Sequence, residues 1–318
     1  MLALKNPWRL MLGACLVFGS ALFSSCNDDD TPAATTNTIT DIVLTNNDFT
    51  ILRAAVQRAG LADALRGPNL TVFAPNNAAF IASNIPDVAA VNALSVEQLT
   101  RILTYHVVPS RIPAANVPAA QNTPVQSLLT TNGTLYVSKI NNAVSVNGRR
   151  VATADVAADN GVVHVIDGVL MPPTGDVVAA VIADPQNFSL LAQAVQRAGT
   201  GVITALQSTT AATVFAPTNQ AFIDAGFTSA AIGAADPAVL ARVLSYHVVP
   251  GRVFSTLLTD GVTPATLLGP TVRVNVSGTG VTVTGQGNGT NASTVTRANT
   301  LSTNAVIHTI NRVLLPPP

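Results

Sequence analysis

The sequence predicts an α+β protein made of two tandem copies of one module, and three observations carry that expectation. The first is repetition in order. LTRILTYHVVPSRI at residues 99–112 returns as LARVLSYHVVPGRV at 240–253, TVFAPNNAAF at 71–80 as TVFAPTNQAF at 213–222, AAVQRAG at 54–60 as QAVQRAG at 193–199, and NGVVHVIDGVLMPP at 160–173 as NAVIHTINRVLLPP at 304–317. The second is the period. The copies lie 139 to 144 residues apart, far beyond the roughly 20 to 50 residues of a solenoid unit. Each copy is therefore a domain, large enough to bury about two thirds of its unfolded surface. The third is a change of periodicity within each copy, from helical spacing in the first two thirds to strand alternation at the end.

Residues 1–25 read as an export signal and stand outside the fold. Lys5 and Arg9 supply the positive start, residues 10–23 are apolar, and Ser24 and Ser25 precede Cys26. The apolar stretch falls short of the roughly 20 residues of a spanning helix. FSSC followed by NDDD resembles a bacterial lipoprotein signal in which Cys26 becomes the lipid-modified first residue, with Phe23 where leucine is commoner. LGAC, ending at Cys15, is the competing match, but it leaves almost no apolar stretch after Arg9. The acidic run after Cys26 resembles the surface-export signals of some Gram-negative bacteria. The expected location is the cell envelope, lipid-anchored at the outer membrane and surface-exposed. Residues 26–38, rich in Asp, Thr and Ala, read as a flexible tether. The first domain is expected at 39–173 and the second at 174–318, joined closely at Pro172-Pro173-Thr174-Gly175.

Within the module each element has a local reason. Phe49, Leu52, Val56 and Ala59 share a helical face, as do Phe188, Leu191, Val195 and Ala198, and Gly60 or Gly199 stops the helix. A short apolar strand follows at 70–74 or 213–216, ended by Pro75 or Pro217, and Asn76 or Thr218 caps the next helix. Ser95 to Gln98 form a capping-box pattern, and Asp236-Pro237 places an N-cap before proline at the first helical position. The closing third alternates as strands, with Asn147-Gly148 and Asn160-Gly161 expected as hairpin turns. Gly285, Gly287 and Gly289 sit among strand residues and read as a flexible hairpin tip rather than a phosphate loop.

These blocks resemble the fasciclin-type domain: TVFAPxNxAF, YHVVPxR and NGVVHVIDGVL match its signatures over residues 39–317. The resemblance implies two tandem fasciclin-type domains, each a wedge-like β-sheet with helices packed around it, and a general association with adhesion and matrix or envelope interaction. It also implies a role in partner binding for the Tyr-His pairs, Tyr105-His106 and Tyr246-His247. The residues themselves suggest packing. Leu99, Leu103 and His106 fall on one helical face, as do Leu240, Leu244 and His247, which aims the imidazoles at the core.

Composition narrows the function. Beyond residue 25 there are 14 basic and 16 acidic side chains, without the basic excess of a nucleic-acid binder. Both cysteines, Cys15 and Cys26, precede the domains, so neither a disulfide framework nor a cysteine metal site is expected. A metal site around His164 with Asp155, Asp159 and Asp167 has no carboxylate counterpart in the second copy at 297–311. Thr104 and Ser245 lie two positions from the histidines, a spacing that turns helical side chains apart. The expectation is a non-enzymatic protein without catalytic residues, metal or cofactor, binding an unknown surface protein or matrix glycan, with self-association open. A polysaccharide-binding role is the alternative; against it, the single tryptophan precedes the domains and Tyr105, Tyr136 and Tyr246 are the only tyrosines, so flat aromatic platforms are few. An uncharacterised hydrolase is the other.

Overall fold

The computed structural model describes residues 37–318, so the expected signal and lipid-bearing Cys26 lie outside the described residues. Asn37 and Thr38, read from composition as the end of the tether, already belong to the fold. The backbone of Asn37 exchanges hydrogen bonds with Asp159, and Thr38 forms a capping box with Asp41. The first copy then runs α1 (Ile39–Thr45), α2 (Thr50–Ala59), β1 (Leu70–Pro75), α3 (Asn77–Ala82), α4 (Val88–Ala93), α5 (Val96–Tyr105) and β2 (Val107–Val108). It closes with β3 (Thr123–Gln126), β4 (Thr134–Ile140), β5 (Ala143–Val146), β6 (Arg149–Ala158) and β7 (Gly161–Ile166). The second copy runs α6 (Val177–Ile182), α7 (Pro185–Ala198), α8 (Thr200–Ser208), β8 (Ala212–Pro217), α9 (Asn219–Asp224), α10 (Ser229–Ala234), α11 (Pro237–Tyr246) and β9 (Val248–Pro250). Its closing strands are β10 (Val272–Ser277), β11 (Gly280–Gly285), β12 (Ser293–Leu301) and β13 (Ala305–Ile310).

The expected caps form. Gly60 sits in the left-handed region at φ 67° after α2, Asn76 and Thr218 accept from the third residue of their helices, and Ser95 and Gln98 complete their capping box. In each copy the early apolar strand pairs in parallel with the last strand, β1 with β7 and β8 with β13. The rest of each sheet is antiparallel. The strand orders are β2-β1-β7-β6-β5-β4-β3 and β9-β8-β13-β12-β11-β10. The parallel pairing puts TVFAP at the sheet centre, and all six residues of β1 and of β8 are buried. Alternate residues serve two cores. Val72, Ala74 and Val163 face α2 and α5, while Phe73 and Ile166 face a second cluster with Tyr105, Leu135 and Val146, where the sheet curls over itself.

Of the three expected turns, one forms as read and two change in detail. Asn147-Gly148 makes the β5–β6 hairpin with φ of 47° and 74°, as the twist of a two-residue hairpin requires. The β6–β7 turn is Asp159-Asn160 rather than Asn160-Gly161: Gly161 pairs with Ala158 and begins the strand. Asn141-Asn142, both at positive φ, makes a further turn between β4 and β5. The glycine segment between β11 and β12 is a pinned turn and not a loose tip. Gly287 N–H donates to the Leu315 carbonyl at 2.9 Å, and Asn288 bonds both Val313 and Leu315.

The two copies touch directly. Asn122 Nδ2 donates to the Arg252 carbonyl at 2.6 Å and Asn299 Nδ2 to the Gly148 carbonyl at 3.0 Å. The Arg252 guanidinium lies 4.1 Å from the Tyr136 ring centre, and that ring packs at 6.2 Å against Phe254, which is buried with Leu301 and Val306.

Candidate functional site

The Tyr-His pair ends α5 in the first copy and α11 in the second, where the helix hands over to the edge strand β2 or β9. His106 is 3% exposed. Its Nε2 accepts from the Leu170 backbone N–H at 2.9 Å, so the proton sits on Nδ1, which donates to the Ile102 carbonyl at 2.7 Å. His247 repeats this with Leu314 N–H at 2.9 Å and the Val243 carbonyl at 2.8 Å. Burial away from water lowers both imidazoles to a pKa of about 4, against the smaller opposing effect of the backbone bond. Both are neutral clamps between the Tyr-His helix and the closing segment.

The tyrosine rings are fully buried. Tyr105 Oη donates to the Thr134 carbonyl at 2.9 Å and accepts from Asn147 Nδ2 at 2.9 Å. Tyr246 Oη donates to the Thr271 carbonyl at 2.7 Å and accepts from Gln286 N–H at 2.8 Å. Desolvation raises both hydroxyl pKa values. All four candidate side chains are therefore enclosed and hydrogen-bonded, and a partner could reach them only by opening the fold.

His164 and His308 occupy the central strands, with Phe73 and Phe215 at 5.6 and 5.7 Å. Their Nε2 atoms bond the Ile112 and Val253 carbonyls, both at 2.9 Å. His164 Nδ1 accepts from Asp155 N–H at 3.3 Å, whereas the buried His308 Nδ1 has no partner among the described residues. His106 and His164 serve opposite faces of the sheet. His106 lines the helix-side core with Leu52 and Leu103, while His164 borders a cavity with Val117, Val137 and Val144. Among the described residues, no group of three His, Cys, Asp or Glu side chains converges as a metal site would require.

The other polar residues shared by both copies follow the same rule. Thr71 Oγ1 donates to the Ser110 carbonyl and accepts from Ile112 N–H, and Thr213 does the same with Gly251 and Val253. Thus the threonine of TVFAP holds the chain leaving YHVVP. Asn160 and Asn304 each accept from the first backbone N–H of α1 or α6 and donate to the carbonyl of Leu65 or Leu206. Asn77 and Asn219 tie α2 and α7 to the helix after the strand. Sequence reasoning passed over Asn147, Arg252, Phe254 and Asn299. Asn147 was legible only as a turn residue, and Arg252 carried the one available signal, its place in the repeated VVPxR. Tyr136, the third aromatic platform of the glycan alternative, is covered by Arg252 and Phe254.

The chain is similar to known proteins. The chain is 45% identical over 142 residues to protein sll1483 of Synechocystis sp., covering 43% of this chain and 74% of that protein. It is 30% identical over 262 residues to the transforming growth factor-beta-induced protein ig-h3 of Sus scrofa, covering 80% of this chain but only 36% of that protein, so the chain spans little more than a third of the animal protein's length. A solved FAS1 domain pair from the insect cell adhesion molecule Fasciclin I aligns with a TM-score of 0.41 and 21% identity, covering 83% of this chain and 95% of that one. The Fasciclin domain family matches residues 47–172 and again 186–316. Matched once in each copy and over most of its length, the chain belongs to the Fasciclin domain family.

Proposed function

We propose that this protein is a non-enzymatic adhesion protein of the cell envelope, held at the outer-membrane surface by lipid on Cys26 and presenting its two fasciclin domains as a pair to a surface protein or matrix component. One observation carries the non-catalytic part: the histidines, tyrosines, threonines and asparagines shared by both copies make their hydrogen bonds within their own domain, chiefly to its backbone. Such groups are orienting parts of a scaffold. A nucleophile and its base must instead face each other and a substrate. Among the described residues no helix is long and apolar enough to cross a membrane, and attachment through an acylated cysteine fits a chain of this kind. Two similar domains raise avidity for a repetitive partner without a new type of contact.

The test has two arms. Cells expressing the wild type, Cys26→Ser or Cys15→Ser are labelled with palmitate and treated with protease while intact; label lost only in Cys26→Ser, with cleavage of the wild type, is the expected result. Beads bearing the purified domain pair should attach saturably to envelope or matrix preparations. Label retained in Cys26→Ser removes the proposed anchor, and failure to attach to any surface or matrix preparation removes the adhesion role.

A further inference from the structure

The helix-side cores of the copies differ at the segment that precedes the TVFAP strand. Between the glycine ending α2 and the threonine of TVFAP the first copy has ten residues; between Gly199 and Thr213 the second has thirteen. In the first domain the shorter segment turns through a single 3-10 turn, Ala64–Arg66, and drops Leu65 into the core at 6% exposure. The void left between α2, α5 and β1 is about 30 Å³. In the second domain the longer segment winds into α8, none of whose residues is buried. Its inward residues Val202, Ile203 and Leu206 pack only partly against the core. Beneath it lies a cavity of about 160 Å³, walled by Leu191, Val195, Val214, Leu244 and Val248. These are the counterparts of Leu52, Val56, Val72, Leu103 and Val107 around the smaller void. Three inserted residues thus convert a plug into a cover.

We infer that this second-domain cavity is a binding site for a hydrocarbon group, either a free small apolar molecule or the end of a longer chain. The walls offer no charge. The polar side chains along them are Gln196, which is exposed, and His247, whose two ring nitrogens are already bonded to Val243 and Leu314. A dry apolar cavity of roughly 150 Å³ takes up benzene or xenon, which sets the occupant at about six to eight carbon atoms. The entrance is marked by Ile182, 54% exposed and also part of the wall. The cover is anchored near its end, through Asn304 Nδ2 to the Leu206 carbonyl at 2.7 Å and Gln207 to Asp176 at 3.1 Å, while its start after Gly199 has no side-chain cap. That asymmetry lets the start of α8 lift while its end stays fixed. The site is independent of the adhesion reading, since it depends on the second domain's core alone.

The purified domain pair is titrated with benzene and with straight-chain alcohols of increasing length, followed by methyl NMR and calorimetry. One benzene should bind per chain, shifting the methyls of Val195, Ile203 and Leu206 but not those of Val56 and Leu65. Filling the space with Ala192→Phe should weaken binding at least tenfold. Alcohol affinity should rise about fourfold per methylene. A plateau near eight carbons assigns the site to the end of a longer chain, and a fall beyond six assigns it to a free small molecule. Absence of saturable binding to the wild type, or equal shifts in the first domain, overturns the proposal even if Ala192→Phe fails to fold. Unchanged affinity in a folded Ala192→Phe overturns it too.

Discussion

At the level of single residues, the histidines set a pH dependence that can be derived. His106, His247 and His308 are buried and neutral with pKa values of about 4, while an unfolded chain returns each to about 6.5. Because the unfolded state takes up these protons first, stability is complete above pH 6.5 and falls as the pH drops toward 4. Each imidazole contributes at most roughly 3 kcal/mol to that loss. Asp41 and Asp184, held below the ordinary carboxylate range by Thr38 and Arg297 respectively, lose their contribution only at lower pH, so the two effects separate. Urea midpoints measured at pH 7.5, 5.5 and 4.5 should decline stepwise. A flat profile over that range would contradict the neutral clamps. His106→Ala, which leaves the Leu170 N–H and the Ile102 carbonyl without partners, should cost about 1 to 3 kcal/mol at pH 7.5. An unchanged melting curve would show that another group takes over both bonds.

At the level of elements, Gly161 and Ala305 occupy matching positions at the start of β7 and β13 but meet different neighbours. A methyl group on Gly161 would run into the Leu70 carbonyl and the Ile39 side chain, whereas Ala305 already sits buried opposite Ala212. Gly161→Ala should therefore destabilise the first domain by about 1 to 3 kcal/mol, and Ala305→Gly the second by about 0.5 to 1 kcal/mol. Amide exchange in β7 and β13 reads the two effects separately; equal protection losses would mean the strands are interchangeable. The difference was invisible in sequence because it depends on which strand lies alongside. The helices α2, α3, α5, α7, α9 and α11, the caps at Asn76, Ser95, Thr218 and Asp236 and the Asn147-Gly148 turn were legible since their causes lie within a few residues. The parallel β1–β7 pairing joins residues some 90 apart in sequence, and no local pattern encodes it. The turn at Asp159-Asn160 was misplaced by one residue because the glycine that suggested a turn serves close strand approach instead. The three-residue shift in copy spacing was readable before α8, but the shift alone could not say whether it made a loop or a helix. The burial of His106 and His247 was legible from helical spacing; their bonds to Leu170 and Leu314 were not, as those partners lie more than 60 residues away.

For the whole molecule, the question is what fixes one domain against the other. Two sources compete: the stiff Pro172-Pro173 joint, and the contacts that Asn122 and the β4–β6 segment of the first domain make with the Arg252–Thr256 stretch and Asn299 of the second. Asn299 has φ 65° and bonds both Gly148 across the boundary and Ser255 within its own domain. Asn299→Gly keeps that backbone conformation available while removing the bridge. Arg252→Ala removes the cation over Tyr136, a contact worth about 0.5 to 2 kcal/mol. If the contacts dominate, residual dipolar couplings of the wild type fit one alignment tensor for both domains and those of the double variant require two. A single tensor persisting in the double variant would assign the orientation to the prolines together with the untouched Asn122–Arg252 carbonyl and Ser145–Thr256 bonds. The first outcome is expected: the joint limits how far apart the domains lie but leaves rotation about the Thr174 and Gly175 backbone, whereas hydrogen bonds on both sides of the Tyr136–Arg252 stack resist that rotation. On the adhesion proposal, a repetitive partner would then meet the two domains at a set spacing, which favours avidity where that spacing matches the partner's.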